Sequence, residues 1–317
     1  MAAYMKKLGN YPIGICGTAL AFITVSNAYG VLDIHFIKPF AIYFAFPVIA
    51  LMILKLILKP KSVIKDLKNP ISGSFYTTVD MSTFLIAAYF HKSYPVFTSR
   101  LWLFAVIVHF ILVAIYTFLR IKRHKFSEVL PCWYTTYVGI VVGAIVSKGM
   151  GHDTLALFML YFGTVSYLAC YPFMLYKIFA KKFTKDQLAT TGVMAAPGGL
   201  AVAGFLSLYK ELNIYFLWFL IILLVINVVI VYYSASKLFR QKFTPALAAF
   251  TFPLAISSLA TCKAVKYFRA HDFAALPYLE VISIIEIVVI SAIVAYVLIN
   301  FLIIFFKALT ERNTAIC

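Results

Sequence analysis

Apolar runs of about 20 residues, the length that carries a helix across a bilayer, recur along almost the whole chain. They lie near 11–29, 37–58, 71–90, 101–119, 130–147, 154–176, 189–208, 213–236, 245–262 and 277–305. The pattern leaves little chain for a soluble part and predicts one all-α transmembrane domain over 1–317 with ten spans. Composition agrees, with 63% hydrophobic and 12% charged residues, against roughly 45–50% and about 25% in soluble domains. Lys6 and Lys7 precede the first run as in a signal peptide. Pro12 and Gly14 enter that run, however, and no small-residue cleavage site leads to a soluble region, so it reads as a retained helix. Cys16, Cys132, Cys170, Cys262 and Cys317 are scattered through the spans and form no disulfide or metal framework.

The formal net charge is +17, but its distribution does not fit a nucleic-acid partner. Of the 28 Lys and Arg, 20 fall on one side of the expected topology and 8 on the other. The crowded side includes Lys6, Lys7, Lys55, Lys59, Lys61, Lys65, Lys68, Arg120, Lys181, Lys182 and Arg312. With short loops, that side is expected to be cytoplasmic. Both termini then lie in the cytoplasm, and the chain crosses a plasma or inner membrane an even number of times. Most of these charges set topology and meet anionic lipid.

The odd-numbered spans start on the crowded side, and four of them carry proline there: Pro12, Pro70, Pro131 and Pro245. A first-turn proline costs little, because that N–H has no helical partner. The spacings are 58, 61 and 114 residues, the last close to two periods, so a fifth start is expected near residue 188. The chain thus reads as five helical hairpins of about 58 residues, a repeat architecture. The odd spans hold small residues, among them Gly17, Thr77, Gly139, Gly143, Pro197 and Gly198, whereas most even spans are bulky and aliphatic or aromatic. Small residues allow close helix approach, so the economical arrangement puts odd spans inside and even spans in lipid. Residues 243–264 stand out, with Phe252 and Pro253 among many small residues. A kink at Pro253 is expected to turn Phe252 toward something other than lipid.

Three stretches then carry a resemblance: PCWYTTYVGIVVGA in the fifth span, TGVMAAPGGLAVAGFL in the seventh and FTPALAAFTFPLAISS in the ninth. They resemble the tellurite-resistance/dicarboxylate transporter family, which includes the plant slow anion channels; YPIGICGTALA and NPISGSFYTTVDM are looser matches. The resemblance implies ten helices as five hairpins with quasi-five-fold symmetry around a central pore lined by the odd helices. It also implies a homotrimer, transport of inorganic or small organic anions, and a pore-closing phenylalanine on the ninth helix, which maps to Phe252. Small pore-lining positions would be Gly17, Thr77, Asp80, Gly139, Gly143, Pro197, Gly198 and Pro253.

At the opposite ends of the odd helices stand Lys92, Lys148, Lys210, Lys263 and Lys266, placed to concentrate anions at an outer mouth or simply to snorkel to the interface. Asp80 departs from the family pattern. It lies ten residues past Pro70, about 15 Å along a helix, near the midplane, where an ionisable group is a functional candidate. Two readings stand: a neutral or hydroxyl-bonded Asp80, with Thr77 or Thr83 as partner, or a proton carrier. The second would make the chain a proton-coupled transporter of four-carbon dicarboxylates, or an efflux protein for sulfite or tellurite oxyanions. His35, His91, His109, His124, His152 and His271 show no metal-ligand spacing, and no phosphate-cradling loop or paired acid is present. An enzyme is therefore not expected, nor a cofactor.

Overall fold

Proline and polar caps mark the helix starts, and backbone breaks mark the helix centres. The computed structural model describes residues 8–123, 125–180, 183–273 and 276–310; Lys6, Lys7, His124, Lys181, Lys182, Arg312 and Cys317 lie outside them. Among the described residues the chain is helical, with no strand. Five long continuous helices alternate with shorter or interrupted ones. The continuous helices are α2 (Ile37–Leu58), α6 (Pro95–Ile121), α9 (Asp153–Ala180), α12 (Ile214–Leu238) and α14 (Leu276–Thr310). Between and before them come five inner units. The first is α1 (Gly14–Val31). The second follows a short surface helix, α3 (Pro60–Lys68), and consists of α4 (Pro70–Ser74) and α5 (Thr77–Phe90). The third is α7 (Trp133–Tyr137) with α8 (Val141–Ile145). The fourth runs from α10 (Lys185–Ala189) through a 3-10 segment, Thr190–Met194, into α11 (Ala195–Leu208). In the fifth, a 3-10 segment, Pro245–Phe250, leads into α13 (Thr251–Arg269).

The fourth unit lacks the starting proline of its counterparts. There a capping box does the same work: the Thr184 hydroxyl accepts from the Gln187 N–H at 3.4 Å, and the Gln187 side chain accepts from the Thr184 N–H at 3.1 Å. Two donors at this helix start are thereby satisfied reciprocally.

Among the described residues, eight helices are long and apolar enough to cross a membrane. The expected third and fifth spans fall short of that length because they are broken, at Phe75–Tyr76 and at 138–140. Burial separates the two sets. The spans built on α1, α11 and α13 are 67%, 83% and 83% buried, whereas the five continuous helices are 28–33% buried. Bulky side chains such as Phe104, Phe179, Tyr215 and Val288 stand exposed on the continuous helices, as suits a lipid-facing surface.

The inner units close on themselves. α1 packs on α5, α5 on α8, α8 on α11, α11 on α13, and α13 back on α1. Each continuous helix packs against its own inner unit and the next: α2 on α1 and α5, α6 on α5 and α7, α9 on α8 and α11, α12 on α11 and α13, α14 on α13 and α1.

Glycine sets the closest approach. A Cβ on Gly199 of α11 would stand 2.9 Å from the Ser257 nitrogen and 3.0 Å from the Ile256 carbonyl oxygen of α13, so backbone meets backbone there. Overpacking of this kind costs about 1–3 kcal/mol. Gly199→Ala is expected to lower the thermal unfolding temperature of the purified protein in detergent, while Gly9→Ala, with only Lys59 carbons 3.9 Å away, leaves it unchanged.

Candidate functional site

A cavity of about 410 Å³ opens where the inner units begin. Residues 9–14 before and at the start of α1, Asn69, Ile71, Ser72 and Phe75 of the second unit, Ala189 and Thr190 of the fourth, and Pro245, Ala246, Ala248 and Ala249 of the fifth all line it. Its walls are drawn from four of the five inner units, together with Lys55 of α2 and Ser62, Lys65 and Asp66 of α3. Its charged lining is Lys55, Lys65 and Asp66. Lys55 reaches in from α2, buried, and donates to the Tyr11 carbonyl and to Asp66 Oδ2, both at 2.8 Å. Tyr76 donates to the same carboxylate oxygen at 2.9 Å. Lys55 and Asp66 cancel, and Lys65 remains as a positive charge on the wall.

Phe75 is among the residues that line the cavity. It sits in the break between α4 and α5, and a Cβ on Gly17 would lie 3.5 Å from its ring. Phe252 is buried at the second position of α13. It comes three residues after Ala249 and is not among the residues that line the cavity.

The expected kink at Pro253 takes another form. α13 begins at Thr251, after the 3-10 segment, so Pro253 stands in the first turn of the α-helix rather than at its centre. Its missing N–H is one that no carbonyl of that helix needs. Pro197 holds the matching third position of α11, also after a 3-10 segment. The direction of the chain is set by the change of helix type, not by a mid-helix proline.

Neighbouring side chains satisfy the carbonyls that these breaks release. Thr77 Oγ1 lies 3.0 Å from the carbonyl oxygens of both Ser74 and Thr135. Ser257 Oγ of α13 lies 3.0 Å from the Ala195 carbonyl oxygen and 2.9 Å from that of Pro253 in its own helix, and Trp102 Nε1 of α6 donates to the Gly143 carbonyl at 3.1 Å.

Asp80 bonds to neither Thr77 nor Thr83; the Thr83 hydroxyl turns back to the Val79 carbonyl. Its Oδ2 instead meets Nδ1 of His109 on α6. Nε2 of the same ring lies 3.0 Å from the Thr136 carbonyl oxygen, at the end of α7. Asp80 and His109 are 3% and 0% exposed, so Asp80 faces the contact between α5, α6 and α7.

Three of the glycines are occupied by helix contacts on the side where a side chain would stand. A Cβ on Gly198 would lie 2.9 Å from the Leu224 Cα of α12, one on Gly143 would lie 3.1 Å from the Phe84 ring, and one on Gly139 would run into the Thr135 carbonyl and Met81. Gly17 instead faces Phe75 and Thr78 within the ring.

At the far ends of the inner units, Lys92, Lys148, Lys210 and Lys266 are exposed. Lys263 is half-buried and donates to Ser207 of α11 at 2.8 Å. The sequence reading did not single out Lys55, Asp66, Phe75 or the role of His109. Lys55 looked like one more topology lysine.

A family model described as voltage-dependent anion channel matches residues 11–302. An uncharacterized transporter of Methanocaldococcus jannaschii is 27% identical over 235 residues, 67% of this chain and 68% of that protein.

Removing Lys55 would leave Asp66 without its cation on a partly buried wall, which is more costly than deleting both partners. Lys55→Met is expected to destabilise the protein by about 1–3 kcal/mol. Lys55→Met with Asp66→Asn should recover most of that loss, read as unfolding temperature in detergent.

Proposed function

Because the chain belongs to the voltage-dependent anion channel family, we propose that it conducts small inorganic or organic anions passively through the ring of inner units. Its family makes it an anion channel or transporter, and its apolar helices make it a multi-pass membrane protein. In the proposed arrangement the broken second and third inner units complete ten crossings, five hairpins surround a pore with quasi-five-fold symmetry, and both termini face the cytoplasm of a cell that carries the protein in its plasma or inner membrane. Three copies assemble, each with its own pore.

One observation carries the reading: the cavity lies where four inner units begin, and the inner units contact one another in a closed cycle. Helix starts present partial positive charge, and Lys65 adds a full one, so anions enter without meeting a tight site. Apolar aromatic rings stand in the way, Phe75 in the cavity lining and Phe252 three residues past Ala249. A ring in a narrow apolar passage blocks ions and expels water, and Phe252 is the gate in this proposal. The lysines at the far mouth, with Lys263 held against Ser207, concentrate anions on that side. Proton-coupled transport of dicarboxylates is the competing reading, and the buried Asp80–His109 contact is the observation in its favour.

Liposomes containing purified protein separate the two. Phe252→Ala is expected to raise passive anion flux about tenfold, the equivalent of about 1.4 kcal/mol off a barrier, with no response to an imposed pH gradient. Flux unchanged in the variant would remove Phe252 as gate. Flux that follows the gradient would favour the coupled transporter.

A further inference from the structure

The Asp80–His109 contact fixes a proton count. Nε2 of His109 faces the Thr136 carbonyl, an acceptor, so Nε2 carries a hydrogen. The Nδ1–Oδ2 hydrogen bond needs one further proton, resident on either side. The unit is neutral in both cases, whether imidazolium with carboxylate or imidazole with carboxylic acid. We propose that His109 and Asp80 hold that one proton as a single neutral unit, so that His109 keeps a fixed negative charge out of the wall of the anion path. The proposal rests on the reading of this chain as an anion conductor.

Geometry makes the charge matter. Asp80 belongs to an inner helix but points away from the ring axis, toward α6 and α7, so about one helix diameter, on the order of 10 Å, separates it from the axis. An unbalanced carboxylate at that distance lowers local anion occupancy about tenfold at the effective dielectric of a protein.

Nothing else stands ready to replace His109. Among the described residues it is the charged or titratable side chain that acts on Asp80, and Asp80 Oδ1 has no hydrogen-bond partner. On the helices packed against α5, Lys38, Lys55, Arg100 and Arg120 stand toward helix ends. Tyr116 bonds the Pro70 carbonyl, and Tyr137 pairs with Thr117. A lone histidine would be a poor signal for such a role; the position of its partner is what gives it one.

The test follows anion flux between about pH 6 and about pH 9 in liposomes, in the native protein and in the Phe252→Ala background. The native protein is expected to show no titration from this site. In His109→Ala, Asp80 gains and loses a proton by itself, and flux falls about tenfold as the carboxylate forms. His109→Ala with Asp80→Asn restores the flat profile, which a merely structural loss would not do. Asp80→Asn alone, whose amide can still bond Nδ1, conducts like the native protein. A flat flux profile in folded His109→Ala over a pH range in which the Asp80 carboxyl is seen to titrate, or a sloping one in the double variant, overturns the proposal; so does loss of flux in folded Asp80→Asn.

Infrared titration reads the same proton without conduction. His109→Ala should gain a titrating carboxylic C=O band that Asp80→Asn removes, and no such band should belong to Asp80 in the native protein. If no version conducts but the band behaves as stated, the conduction reading fails and the shared proton stands. A titrating Asp80 band in the native protein overturns the shared proton whatever the flux.

Discussion

Backbone carbonyls released by broken helices need donors, and a bilayer core supplies no water to provide them. This requirement organises the interior. The second to fifth inner units each change helix type or break near the start of their main segment, and the polar side chains that meet their carbonyls come from neighbouring elements: Thr77 beside the carbonyl of Thr135, Ser257 beside that of Ala195, His109 beside that of Thr136, Trp102 beside that of Gly143. Each bond crosses between two helices. The breaks that make the interior irregular are therefore also what ties adjacent units together, with small residues such as Gly199 letting the backbones come close enough.

Charge obeys a similar economy. Burying one carboxylate or ammonium without a partner is far more costly than burying a matched pair. Lys55 with Asp66 and His109 with Asp80 are such pairs, one beside the cavity and one behind the wall of the ring. In the proposed account both keep an unbalanced negative charge away from the anions. What is left on the cavity wall is Lys65, together with the positive ends of the inner helices.

Much of this was legible in the sequence. The 58-residue spacing of Pro12, Pro70, Pro131 and Pro245 marked the inner units, and the missing fifth member appears as the Thr184–Gln187 capping box. The contrast between small and bulky spans separated buried from exposed helices. Helix breaks were less legible, because a 3-10 turn and an α-turn ask for the same apolar residues; Pro253 therefore read as a mid-helix kink although it stands in a first turn. Gly198 carried no mark of which neighbour it would face. The Asp80 partner was recoverable in principle: positions 80 and 109 are equidistant from the turn at Tyr94 and Pro95, as antiparallel helices require, and Lys55 and Asp66 mirror each other about Pro60 and Lys61, next to the helix junction at Lys59.

The central claim is that the ring of inner units encloses a passive, anion-selective path. The most direct test is the reversal potential of the current through Phe252→Ala protein in a planar bilayer with a salt gradient across it. The account predicts a reversal potential close to the anion equilibrium value and unmoved by a superimposed pH gradient. A reversal potential at the cation value, or one that tracks the proton gradient, would contradict it.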